Sequence, residues 1–266
     1  MLLKISHTTH YSYDSPVEYA LQQARLRPKS RAGQSVISWN MKLEGAEEQV
    51  RYDDEYNNHV ILLSILPGQS GFSVHCDGEV ETADNAGIVG THGGFAPLWH
   101  FKRSTDLTKA GPLVKALAKQ LGTDFANDIE RFHTLSHVIS SKVAYEIGTT
   151  DTTTVAEAAL ERKHGVCQDH AHIFIACARI LGFPARYVSG YLMIDDMVDQ
   201  DATHAWAEVH LPDLGWVGFD VSNGISPDER YVRVATGLDY HEAAPVSGIR
   251  LGNSVETMIV SIQVQQ

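Results

Sequence analysis

Over the first third of the chain, apolar and polar positions alternate with a period of two. Ile5, His7, Thr9, Tyr11 and Tyr13 take alternate positions and share one face of a predicted strand. SVISWNMKL at 35–43 and NHVILLSIL at 58–66 are rich in β-branched and aromatic residues and are bounded by Gly, Pro, Asn and Asp, so they read as further strands. FSVHCDGEVET at 72–82 completes the set, with Asp77-Gly78 as an expected hairpin turn. Short strands at this spacing predict a β-sandwich-like domain or small barrel over residues 1–82.

Residues 83–108 are rich in glycine and irregular, and read as a connection. From 109 to 266 the chain reads as a second unit. PLVKALAKQLG at 112–122 opens with Pro and closes with Gly, as a helix does. NDIERFHTLSHVISSKV at 127–143 places Ile129, Phe132, Leu135 and Ile139 near helical spacing. TVAEAALERKHG at 154–165 starts with a Thr cap and Glu157 three residues later, the pattern of a capping box. CQDHAHIFIACARILG at 167–182 is a fourth helix, closed by Gly182. Beyond Pro184 the pattern returns to strands: ARYVSGYLM, THAWAEVHL, GWVGFDV and, in the tail, ETMIVSIQV at 256–264. Helices and strands segregated in this way predict an α+β protein.

Composition narrows the picture only in places. A formal charge of −12 disfavours nucleic acid and anionic membrane surfaces as partners. The N-terminal MLLKISHTTH lacks an apolar signal region, and the longest apolar run, VILLSIL, is too short to span a bilayer. The three cysteines, Cys76, Cys167 and Cys177, form no disulfide framework and fit a cytoplasmic setting.

The densest chemistry lies in HGVCQDHAH at 164–172. Cys167 opens a helix, where free N–H groups and the positive end of the helix dipole favour thiolate over thiol. A thiolate catalyst also needs a histidine to share the proton and a third group to orient that ring. A hairpin centred near residue 212 would bring His204 and Asp220 opposite each other. Cys167, His204 and Asp220 then come from a helix tip and two paired strands. A metal at Cys167, His170 and His172 is disfavoured: 172 lies round the helix axis from 167 and 170, and no second ligand pair follows. His133 and His137 lack the glutamate of a helical zinc motif. Asp169 reads as a helix-start acid, and Cys76 and Cys177 as packing residues. Trp206 and Trp216 read either as walls of the site or as core, and Arg186 as either a substrate contact or one half of an ion pair.

GVCQD at 165–169, ARILGFPARYVSGYL at 178–192 and HAWAEVHLPDLGWVGFD at 204–220, with Ser222-Asn223-Gly224 after it, resemble the bacterial transglutaminase-like proteins. HTTHYSYDSPV and DEYNNHV resemble the N-terminal domain that accompanies this core, and residues 232–252 resemble its tail. The resemblance implies a papain-like core with a Cys–His–Asp triad at Cys167, His204 and Asp220, without metal or organic cofactor. It departs from the family pattern at His170, where an aromatic residue is usual, and at Val221-Ser222, where Pro-Thr is usual. The cross-linking relatives draw an oxyanion donor from a tryptophan upstream of the cysteine, and no Trp lies between Trp99 and Cys167. The implied reaction is acyl transfer from a peptide or protein amide, with hydrolysis preferred, transamidation as the alternative, and a non-catalytic peptide-binding module as the rival from another class. The sequence specifies no oligomeric state.

Overall fold

The alternation in the first residues becomes a strand in which Ile5, His7, Thr9, Tyr11 and Tyr13 are all buried. The protein is described here by a computed structural model covering residues 1–266 apart from Asp196 and Asn253. Six strands occupy the first 82 residues: β1 (Leu2–Tyr13), β2 (Tyr19–Arg27), β3 (Gln34–Glu44), β4 (Ala46–Asp53), β5 (His59–Ile65) and β6 (Gly71–Thr82). There follow β7 (Ile88–Gly90), α1 (Pro112–Leu121), α2 (Asp128–Lys142), β8 (Ala144–Tyr145), α3 (Ala156–Arg162), β9 (His164–Gly165) and α4 (Cys167–Ile180). The remainder is β10 (Ala185–Leu192), β11 (Asp199–Gln200), β12 (His204–Leu211), β13 (Gly215–Phe219), β14 (Tyr231–Gly237), α5 (Tyr240–Ala243), β15 (Val246–Leu251) and β16 (Glu256–Gln265).

Two sheets, ordered β11-β16-β1-β6-β3 and β15-β2-β5-β4, form the sandwich. Their inward faces meet in a core that includes Tyr11, Leu26, Leu63, Phe72 and Val74, with the Tyr11 and Phe72 rings stacked 4.7 Å apart. Two strands of the first 82 residues escape the period-two reading. β2 alternates Ala20, Gln22, Ala24 and Leu26 inward, a weak apolar signal. β4 is almost wholly exposed and carries Glu47, Glu48 and Arg51, as suits a charged edge strand.

The hairpin expected at Asp77-Gly78 is absent; both residues lie inside β6, paired with β1 on one side and β3 on the other. Gly78 serves packing here. A Cβ at that position would sit 2.2 Å from the Trp39 ring and 2.6 Å from the Ser38 carbonyl. Gly78→Ala is therefore expected to cost about 1–3 kcal/mol in urea unfolding through overpacking; a variant as stable as the wild type would contradict this account.

The tail, which the sequence reading groups with residues 109–266, returns to the sandwich. β16 pairs with β1 from Lys4–Gln265 to Tyr13–Glu256, and β15 pairs with β2. Pairing between segments so distant in sequence leaves no local signal. Leu3, Ile5, Val80, Ile262 and Val264 then pack on Tyr191, Val232 and Val234, which joins the sandwich to the second sheet system.

That system, ordered β14-β10-β12-β13-β7, is antiparallel and carries α4 on one face. Helix α4 is buried on all sides from Gln168 to Arg179, because α1, α2 and α3 cover the side that the sheet does not. Arg179 pins it: Nε donates to the Phe101 carbonyl, Nη1 to the Thr108 hydroxyl, and Nη2 to the carbonyls of Ala185 and Leu238. The capping box expected at Thr154 is also replaced. Helix α3 begins after Val155, and the Glu157 carboxylate instead accepts from the backbone N–H groups of Leu113 and Val114, capping α1. α3 ends at Lys163 in the left-handed region (φ 62°) rather than at a glycine. Among the described residues, no helix is long and apolar enough to cross a membrane.

Candidate active site

Cys167 is the first residue of α4, directly after Val166, whose extended conformation stops the chain from continuing as helix behind it. The N-terminal turn is held from below by Asp169. One of its carboxylate oxygens accepts from the Val166 N–H at 2.8 Å and from the Thr150 hydroxyl at 2.6 Å. Asp169 thus fills the structural place expected of it, and burial raises its pKa. The N–H groups of the first turn are left without intrahelical acceptors, beside a partly buried sulfur packed against the main core.

His204 opens β12, and its Nε2 donates to Asp220 Oδ2 at 2.6 Å. The other ring nitrogen is left free of Asp220, and Cys167 is among the groups that raise the imidazole pKa. Burial alone would push the imidazole pKa down, but Asp220 and Cys167 outweigh it and raise it to about 10. The hairpin register differs from the expected one. Ala207 pairs with Phe219 and Leu211 with Gly215, so the turn centres on Asp213. Trp206 rather than His204 therefore lies across from Asp220. The expected contact survives because the slip leaves His204, Trp206 and Asp220 on one face of the sheet, so His204 reaches Asp220 diagonally.

Asp220 is fully buried and accepts five hydrogen bonds. Oδ2 takes His204, the Asn223 amide at 2.7 Å and the Tyr231 hydroxyl at 2.8 Å; Oδ1 takes the backbone N–H groups of Ser222 and Asn223. Burial would raise its pKa, yet these donors, His204 foremost, hold it below the ordinary carboxylate range. The turn that supplies them is closed by the Asp220–Ile225 backbone pair and by Gly224 at φ 68°. Asn223 is quoted in the sequence without a role, and Tyr231 lies on another strand; no local pattern ties either to Asp220.

Two rings brace His204. Trp206 stacks at 6.2 Å between centroids and Tyr231 packs at 5.9 Å. Trp206 fits because Gly190, paired with His204 across β10–β12, has no side chain; a Cβ there would come within 2.7 Å of the indole. Tyr231→Phe removes one donor from Asp220, and a hydrogen bond to a charged group contributes about 1.5–3 kcal/mol. The expected result is a kcat lowered by about tenfold with little change in KM, checked by steady-state kinetics.

His170 does not face a metal. Its Nε2–H donates to the Val143 carbonyl at 2.9 Å, which leaves Nδ1 to accept from the Ser222 hydroxyl at 2.9 Å. Burial lowers its pKa and keeps the ring neutral. His170 and Ser222 thus touch each other and tie α4 to the turn that holds Asp220. His172 points elsewhere, and its Nε2 accepts from the Tyr240 N–H at 3.2 Å. His133 packs on Phe219, whereas His137 is exposed. Among the described residues, no group of three or more His, Cys, Asp and Glu side chains is arranged to hold a metal.

Arg186 pairs with Glu208 and lies 3.8 Å over the Trp216 ring, so it is an ion-pair member. Cys76 and Cys177 are fully buried, and burial pushes each thiol up to about 12. Tyr145, half-exposed, lies against His170; burial, then Cys167 and Asp220, raise its hydroxyl to about 12, so it keeps its proton.

Residues 115–221 match the transglutaminase-like superfamily, and residues 3–81 match the bacterial transglutaminase-like N-terminal region. An uncharacterized protein of Mycobacterium leprae is 27% identical over 98% of both chains. One of Mycobacterium tuberculosis is 28% identical over 98% of this chain and 91% of its own. A crystal structure of a protein from Cytophaga hutchinsonii, described as a putative cysteine protease, superposes with a TM-score of 0.76 at 24% identity. It covers 100% of this chain and 91% of that one, and it shares the papain-like fold with the N-terminal sandwich.

Proposed function

Because this chain belongs to the transglutaminase-like superfamily, we propose that it catalyses acyl transfer from a peptide or protein amide through Cys167, His204 and Asp220, with water as the acceptor. The observation that carries this reading is the His204 ring, bonded through Nε2 to buried Asp220, with Cys167 at the tip of α4 among the groups that raise its pKa. The Cys167 thiolate attacks the carbonyl carbon. The oxyanion forms beside the Cys167 N–H, with the protonated Tyr145 hydroxyl as the candidate second donor. His204, as imidazolium, protonates the departing amine and becomes neutral. It then takes a proton from water, whose oxygen attacks the thioester. The acid leaves and the thiolate and imidazolium are restored.

The access of solvent favours water over an amine. Cys167 is partly exposed and Tyr145 beside it is half-exposed, so the thioester stands open to the most concentrated nucleophile present. The test is product mass. Glutamine-containing peptides and peptide amides are incubated with wild-type and Cys167→Ala protein, with and without a primary amine. Acid products formed by the wild type alone are expected. Amine adducts would replace hydrolysis by transamidation; equal peptide binding by both proteins without turnover would leave a binding module.

A further inference from the structure

Against Trp206 and Tyr231 lies a pocket of about 70 Å³ between the sandwich and the core sheet. Its wall includes Arg31, Arg233, Glu208 and Asp228 together with the two rings. The charges do not balance. Glu208 is fully buried and already taken by two guanidinium groups: Arg186 Nε at 2.6 Å and Arg233 Nε at 2.8 Å. Asp228 is engaged by Arg230 at 2.6 Å. Arg31 is left over. Its side chain makes no hydrogen bond or ion pair among the described residues, and its Nε is buried without a partner. Arg233 uses Nε and Nη2 on Glu208, so its Nη1 is spare, and the Trp206 indole lines the same wall. Burial first, then Arg233 and, after a partial offset by Glu208, Arg186, destabilise the charged form of Arg31. In a chain of formal charge −12 this is a local surplus of positive charge, on a partly buried side chain.

We propose that this cavity is a binding site for a small oxyanion, a carboxylate or phosphate group, held by the guanidinium groups of Arg31 and Arg233 with the Trp206 indole N–H. A guanidinium fork matches the paired oxygens of both groups. One water needs about 10–15 Å³ of such space, so the cavity admits a group of a few heavy atoms. It lies far below the roughly 300 Å³ of a site for a larger organic ligand. The bound anion sits against the two rings that pack on His204.

The test titrates wild-type protein with inorganic phosphate and, separately, with acetate, against sodium chloride at constant ionic strength, by calorimetry and thermal midpoint. Saturable binding of phosphate or acetate is expected, and the stronger of the two identifies the group. In Arg31→Gln the affinity should fall by at least about tenfold. Arg51→Gln, on the exposed sandwich edge, should bind as the wild type does. No saturable binding by the wild type, equal effects of chloride, or unchanged affinity in Arg31→Gln would each overturn the proposal. Should Arg31→Gln fail to fold, the wild-type titration decides alone.

Discussion

Cys167→Ala is expected to lower the turnover of any amide the protein hydrolyses by about 10⁴- to 10⁶-fold, with its unfolding midpoint close to that of the wild type. The sulfur is partly exposed, so its loss removes chemistry and little packing. His204→Ala should cost about as much, and the double variant hardly more, because the two act as a unit. The pH profile gives a sharper check. The competent state needs His204 protonated and Asp220 ionised. His204 is raised to about 10 and Asp220 is held below its ordinary range, so activity should persist through neutrality and fall as pH rises through about 10. In Asp220→Asn the principal group that raises the histidine is gone, and the alkaline limb should move to lower pH by at least about one unit. A limb that stays in place would mean that Asp220 does not govern the ring.

The second large effect concerns stability. Glu208→Ala is expected to destabilise the fold by about 3–5 kcal/mol, read from urea unfolding at neutral pH, because Arg186 and Arg233 would keep buried charges without their carboxylate. Burial by itself would raise the glutamate pKa, but the two arginines outweigh it and lower it to about 2. A carboxylate depressed in the folded state stabilises fully above its unfolded pKa of about 4.3. That contribution is lost as pH falls through about 2. The wild type should therefore lose stability steeply on acidification, whereas Glu208→Ala should lack this component. Parallel acid profiles for the two proteins would show that Glu208 is not the coupled group.

What could be read from the sequence follows the range of the forces involved. α1 and α4 are legible because Pro112 and the closing glycines act within one turn, and α2 because Ile129, Phe132, Leu135 and Ile139 recur at helical spacing. His204 and Asp220 are legible as neighbours because a hairpin is a local event, and even a slip in its centre preserved the shared face. Glu157 misleads because its carboxylate caps a helix more than forty residues away. Gly78 misleads because the residue that requires it, Trp39, comes from an adjoining strand. Tyr231 and the His170–Ser222 tie are invisible for the same reason: each is a side-chain meeting fixed only once α4, β12 and β14 have packed.

The ladder between β16 and β1 also has a bearing on how the chain is made. At 5–20 residues per second, β6 leaves the ribosome roughly ten to thirty seconds before residues 256–265. Throughout that interval β1 can pair with β6 on one side, while its other edge presents a row of open N–H and C=O groups over ten positions. Such an edge is a template for any passing strand, including β1 of another nascent copy. The nascent sandwich is therefore at its most prone to aggregate while the helices and the second sheet are being synthesised, and β16 closes the vulnerable edge when it arrives.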